Sequence, residues 1–299
     1  MQSVRIHRHG DPSVIRIDDV PVPHPGPGEV LLKVAATSFN PTETALRSGA
    51  LAELFPVALP YALGWDVAGE VVELGPGVTS PRVGEHVIGW LDSGAASEFA
   101  VAPADRLVPA PTTLPLAEAA ALPLAGLTAV RTVEDLSAGE RVLVNGAGGG
   151  IGGFVVQLAK HAGAHVIATA SARSAASVLS GGADEVIDYT TTPLSSGGPV
   201  DVVINLVPVA SERLIPLLRE GGRIISATTP VVGSGRHVVA RNDPARLAEL
   251  SRLVDEGIVR VNVTATRSLA ELADLHRASE AGRLHGKVVV EPVRSVRPT

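Results

Sequence analysis

One stretch limits what this chain can fold into more than any other. Val142-Leu143-Val144-Asn145 runs into Gly146-Ala147-Gly148-Gly149-Gly150-Ile151-Gly152-Gly153 and then into Phe154-Val155-Val156-Gln157-Leu158-Ala159-Lys160. The apolar, β-branched run reads as a buried strand, the glycines as a tight turn and the last segment as an amphipathic helix. Within it Ala147, Gly149 and Gly152 fit an [A/G]-x-G-x-x-G fingerprint for a dinucleotide pyrophosphate. Glycine lets the backbone turn sharply and come close to a phosphate, and the free N–H groups of a helix start attract its charge.

Around this motif strands and helices alternate. Strand-like runs occur at 141–144, 165–169, 185–188, 200–206 and 223–227, with helical patterns at 172–179 and 211–218 between them. A further helix starts at Asn242-Asp243-Pro244, either polar residue serving as its cap. The rhythm predicts an α/β fold with a doubly wound parallel sheet. Before it, residues 1–119 are rich in Pro, Gly and short alternating strands, such as Glu29-Val30-Leu31-Leu32-Lys33-Val34 and Gly69-Glu70-Val71-Val72-Glu73-Leu74. That spacing suggests a β-barrel-like domain. A last helix at 269–281 and a strand at 287–291 return to it. The expected division is therefore 1–119 with 259–299 against a dinucleotide-binding domain at 120–258.

Composition removes whole classes of function. With 45% hydrophobic and 19% charged residues the chain can bury a large core. No apolar run is long enough to span a bilayer, and the N-terminal residues lack a signal-peptide core. The expectation is a cytoplasmic protein without a membrane partner. A net charge of −6 argues against nucleic acid. The absence of cysteine excludes disulfides, thiolate metal ligands and cysteine nucleophiles.

The second strand indicates which dinucleotide. NAD-selective sites place an acid roughly 20 residues beyond the first glycine. No Asp or Glu occurs between Glu140 and Asp184; the strand instead runs out into Ser171-Ala172-Arg173. A hydroxyl and a guanidinium suit a 2′-phosphate, so Ser171 and Arg173 predict NADPH.

Several blocks, in order along the whole chain, resemble the medium-chain dehydrogenase/reductase superfamily, in its zinc-free quinone oxidoreductase branch. They are Val22-Pro23-His24-Pro25-Gly26-Pro27-Gly28-Glu29-Val30, Asn40-Pro41-Thr42-Glu43 with Arg47-Ser48-Gly49, Ala119-Ala120-Ala121-Leu122-Pro123 with Gly126-Leu127-Thr128-Ala129, and His285-Gly286-Lys287-Val288-Val289. The resemblance implies a Rossmann domain beside a GroES-like catalytic domain, and a homodimer. The G-H-E box that helps to bind zinc in metal-dependent relatives is Gly64-Trp65-Asp66 here. Tryptophan cannot serve as the ligand, so no metal is expected. Without a Lewis acid, an acceptor that delocalises its own negative charge is the consistent substrate.

The resemblance also assigns roles. The pyrophosphate of NADPH is expected at Gly149, Gly150 and Ile151, and the adenosine phosphate near Ser171 and Arg173, with Tyr189 beside the adenosine. Thr128 and Leu206 are expected to border the nicotinamide, and Lys287 to reach the cofactor. Asn40 is expected at the reaction centre, donating to the acceptor carbonyl or holding the nicotinamide ribose; a turn residue before Pro41 is its other reading. Trp65 and Trp90 are expected to wall the substrate pocket, with a place in the core as the other reading of each. Tyrosine is absent near Ala45, where relatives often carry one, and Asn145 stands where many have histidine. The leading expectation is hydride transfer to a quinone. The alternatives are reduction of an enone or enoyl C=C bond, and an NADPH-binding sensor or subunit with little turnover.

Overall fold

The structure, a computed structural model, describes residues 1–292 and resolves into two compact units. One contains Ala125–Arg241 and Glu256–Asn262; the other contains Met1–Leu124, Asn242–Asp255 and the described residues from Val263 onward.

The first unit is built on six parallel strands: β1 Arg141–Asn145, β2 His165–Ala170, β3 Glu185–Asp188, β4 Val200–Asn205, β5 Leu218–Ser226 and β6 Gly235–His237. Their order is β3-β2-β1-β4-β5-β6. The chain winds outward from β1, returns, and winds the other way from β4, which is the doubly wound α/β fold the alternation predicts. Val142, Val144, Val166, Ile167, Val203 and Ile204 are fully buried, as expected of parallel strands covered on both faces. The order reverses between β1 and β4, and sheets of this kind take ligands at the carboxyl ends of the strands there.

The helix expected at 211–218 does not form. The segment makes two 3-10 turns, Ser211–Arg213 and Ile215–Leu217, because Pro216 has no N–H to donate and crowds the preceding turn. Strand β5 then starts already at Leu218.

The other unit is β-rich around the long strand Glu29–Ser38. Asp66–Leu74 runs antiparallel beside it, Phe99–Pro103 pairs with its first half, and Lys287–Glu291 pairs with its end. The register sets Ser38 opposite both Asp66 and Val289. Three strand termini therefore meet at one place, each contributing a polar residue. A cluster of Ile6, Phe39, Leu46, Tyr61, Leu63 and Val288 packs beside it.

The helix Pro244–Asp255, expected with the dinucleotide-binding domain, belongs to this β-rich unit. Its first turn is capped by Asp243, whose Oδ1 accepts from Arg246 N at 3.0 Å. Ser251 Oγ donates to Pro109 O at 3.0 Å, and Asp255 Oδ1 accepts from Thr112 N and Thr113 N. Leu247 and Leu250, fully buried, cover its apolar side. The part of the expected domain at 293–299 lies outside the described residues. Among the described residues no helix is long and apolar enough to cross a membrane.

Candidate functional site

In the parallel-sheet unit the glycine turn links β1 to the helix Gly152–His161. A Cβ on Gly152 would lie 2.3 Å from Gly146 O and 2.6 Å from Ala147 Cα. Glycine at 152 is thus demanded by the protein's own packing. Gly149 differs: a Cβ there would meet only Gly146 O, at 3.4 Å, and its φ is not positive. Nothing within the fold requires glycine at 149. The amides of Ile151 and Gly152 open the helix Gly152–His161, where no preceding helical turn supplies an acceptor. These are the orphan donors of a helix start, and they point to an anion as the missing partner. The residues present therefore fit a dinucleotide pyrophosphate.

The neighbouring positions follow the strand ends. Ser171 and Arg173 lie just past β2, with the Arg173 side chain exposed and the Ser171 carbonyl accepting from Ser174 N and Ala175 N. Ser171 itself caps nothing with its hydroxyl; the helix that follows is Ala175–Ser180. Tyr189 follows β3 and is 54% exposed. Leu206 follows β4, donates its amide to Asn145 O at 2.9 Å and lies against Gly146. Thr128 is buried in the helix Pro123–Val133.

The β-rich unit holds a compact buried polar cluster. Asn40 Nδ2 donates to Asp66 Oδ2 at 2.9 Å and to Ser38 O at 3.4 Å. Lys287 Nζ donates to Asn40 Oδ1 at 2.9 Å and Phe39 O at 3.3 Å, and stands 3.7 Å from Asp66 Oδ2. Ser38 Oγ donates to the same carboxylate at 2.6 Å, and Leu124 N to its Oδ1 at 2.8 Å. Glu43 accepts from Asn40 N and Gly64 N. Burial pushes the Glu43 carboxyl up to about 8, and the Asp66 charge pushes in the same direction. Burial likewise pulls the Lys287 ammonium down, against the pull of Asp66 and Glu43.

This placement revises two expected roles. Asn40 has both amide hydrogens directed at acceptors within the protein, so as placed it offers no free donor to an acceptor carbonyl. Lys287, expected to reach the cofactor, turns its ammonium onto Asn40 and Asp66 instead. Trp65 is half-buried against the core cluster; its Nε1 donates to Tyr61 Oη at 2.9 Å, which in turn donates to Asp92 O at 2.6 Å. The indole thus has a ring face to offer and no proton. Burial raises Tyr61 to about 12, so that hydroxyl stays protonated.

Asn40, Trp65 and Lys287 are brought together in one unit, and Gly149, Gly150, Ile151 and Leu206 in the other. Sequence reasoning missed Ser38, and brought in Asp66 only as the last residue of the Gly64-Trp65-Asp66 box. The one signal for the cluster was the run Asn40-Pro41-Thr42-Glu43, which places an acid three residues after an amide. Among the described residues no three His, Asp or Glu side chains group closely enough to hold a metal ion.

Residues 26–112 match the family described as alcohol dehydrogenase GroES-like domain, and residues 181–290 the family described as zinc-binding dehydrogenase. The chain is 36% identical to a chloroplast envelope quinone oxidoreductase homolog of Arabidopsis thaliana, over 91% of this chain and 92% of that protein. It is 31% identical to an NADPH-dependent alkenal/one oxidoreductase of the same plant, over 95% and 78%. Among solved structures it resembles Escherichia coli quinone oxidoreductase complexed with NADPH, with a TM-score of 0.87 at 26% identity, covering 98% of this chain and all of that one (100%).

Proposed function

Because the chain belongs to the medium-chain dehydrogenase/reductase superfamily, in its quinone oxidoreductase-like branch, we propose that it is an NADPH-dependent oxidoreductase that reduces a quinone or similar conjugated carbonyl without zinc. The observation that carries this reading is the glycine turn, where the helix Gly152–His161 opens with amides that have no acceptor in a preceding turn and where nothing in the fold fills the place of a side chain at Gly149. NADPH, when bound, supplies a hydride from its nicotinamide ring. Gly149, Gly150 and Ile151 hold the pyrophosphate, Ser171 and Arg173 the 2′-phosphate, and Tyr189 lies beside the adenosine. Thr128 and Leu206 border the nicotinamide, and Trp65 presents its ring face to the acceptor. Asn40 acts through the cluster that fixes it.

Trp65, where metal-dependent relatives place a histidine ligand, supports zinc independence, as does the lack among the described residues of three His, Asp or Glu side chains close enough to hold a metal. Hydride addition then leaves negative charge that the protein stabilises only weakly, so the acceptor must spread that charge over its own conjugated oxygen. The alkenal/one relative supports the same chemistry on a conjugated C=C bond as the second reading. Among the described residues strand β6 is paired on one side only, and an open edge of this kind favours continuation of the sheet into a second copy; it supports the reading of a homodimer, for which the cytoplasm is the proposed compartment.

The test is NADPH oxidation with benzoquinones, then with enones and enoyl thioesters, beside a direct NADPH titration and light scattering of the eluting protein. Turnover of a quinone or enone with a mass of two chains is expected. Tight NADPH binding without turnover on any acceptor would replace the enzyme by a sensor.

A further inference from the structure

Three buried polar residues stand side by side at the carboxyl ends of β2, β1 and β4: Thr169, Asn145 and Asn205, exposed by 1%, 6% and 0%. The residues leading up to the two amides, Val142–Val144 in β1 and Val202–Ile204 in β4, are all apolar, so folding alone does not call for amides there. Burying such groups is unfavourable unless each is satisfied, and here each is. Gly146 N donates to Thr169 Oγ1 at 2.9 Å, and Thr169 Oγ1 donates to Asn145 Oδ1 at 3.3 Å. Asn145 Nδ2 donates to Asn205 Oδ1 at 3.0 Å, its partner in register. Asn205 Nδ2 then donates to Val207 O at 2.9 Å and Val209 O at 3.1 Å.

One chain of hydrogen bonds thus runs from the first glycine of the phosphate turn to the loop 206–209 after β4. Thr228 Oγ1 closes it from outside, donating to Val207 O at 2.7 Å. Leu206, at the start of that loop, packs on Gly146. We infer that Asn205 is a positioning residue that, through Asn145 and Thr169, ties the loop beside the nicotinamide to the turn beneath the pyrophosphate. The inference rests on the cofactor reading above and adds the residues that align its two halves.

Titration calorimetry tests it with two probes: NADPH, and adenosine 2′,5′-bisphosphate, which keeps the adenosine phosphates and lacks the nicotinamide. Asn205→Asp keeps the acceptor for Asn145 and removes both donors to the loop. NADPH should bind at least about tenfold more weakly while the bisphosphate changes less than about twofold. Thr228→Val loosens the same loop from an exposed position without disturbing the sheet interior, and should shift the two probes in the same unequal way. Thr169→Val, which strips the glycine turn of its anchor, should weaken both. Equal losses on both probes for Asn205→Asp and Thr228→Val, or no loss, would overturn the inference. If the unaltered protein binds neither probe, the cofactor reading itself fails.

Discussion

The ammonium of Lys287 lies 2.9 Å from the Oδ1 of Asn40, a contact between residues 247 positions apart. It fixes which way the Asn40 amide faces, because the oxygen must meet the lysine and the nitrogen must meet Asp66. Lys287 and Asp66 are both almost completely buried, at 4% and 0% exposure, so neither charge can lean on water.

Removing one member of a buried charge pair costs more than the pair contributes, about 3–5 kcal/mol, because the survivor is left unpaired. Lys287→Met should therefore lower the unfolding free energy by roughly that amount, measured by urea denaturation. A loss under about 1 kcal/mol, typical of an exposed ion pair, would show that Asp66 does not depend on Lys287.

Glu43 gives the protein a pH dependence of definite sign. Its carboxyl is neutral up to about 8 in the fold, against 4.5 ordinarily. Below 4.5 both states are protonated and its contribution is fully present. As pH rises toward 8 the unfolded chain ionises first, and that stability is lost. Asp66 and Lys287 face the same group, so the comparison must be with Glu43→Gln, which keeps both neighbours. Melting temperatures of the two proteins, followed over this range, should diverge, with the natural protein losing ground as pH rises. Curves separated by a constant offset would mean that Glu43 does not titrate in this way.

The two glycines three positions apart should separate folding from binding. Gly152→Ala sets a methyl 2.3 Å from Gly146 O, so its melting temperature should fall along with NADPH affinity. Gly149→Ala should melt like the natural protein yet bind NADPH at least about tenfold more weakly, a loss near 1.4 kcal/mol. Unchanged NADPH affinity in Gly149→Ala would remove the pyrophosphate from this turn.

Arg173 is exposed just past β2, on a segment without an acid. If its bond to the 2′-phosphate contributes about 1.5–3 kcal/mol, Arg173→Ala should weaken NADPH roughly ten- to a hundredfold. NADH, which lacks that phosphate, should bind as before. Equal losses for both cofactors in fluorescence titrations would remove the assignment.

The features legible in the residue order are those written locally. The strand at 141–145 announces itself by its apolar run, the turn by its glycines and the helix cap by Asp243, because each depends on neighbours a few positions away. Pro216 was legible too, and its effect on the expected helix at 211–218 follows from its missing N–H. The polar cluster was not, since Asn40 lies just past the strand Glu29–Ser38 while Asp66 and Lys287 begin two other strands, and the register of the three decides that they meet. Asn145 and Asn205, 60 residues apart, look ordinary until β1 and β4 are known to be neighbours. The helix Pro244–Asp255 shows an apolar face in its spacing, but spacing cannot tell which unit that face covers; Pro109, Thr112 and Thr113 decide it.

The open space at Gly149 has an evolutionary consequence. A library selected only for remaining folded would tolerate alanine or serine at 149 while rejecting both at 152. Selected for turnover, the same library should become strict at both positions. If the turn holds the pyrophosphate as proposed, position 149 answers to a visiting molecule, and it would be among the first to drift in a descendant that had given up catalysis and kept its shape.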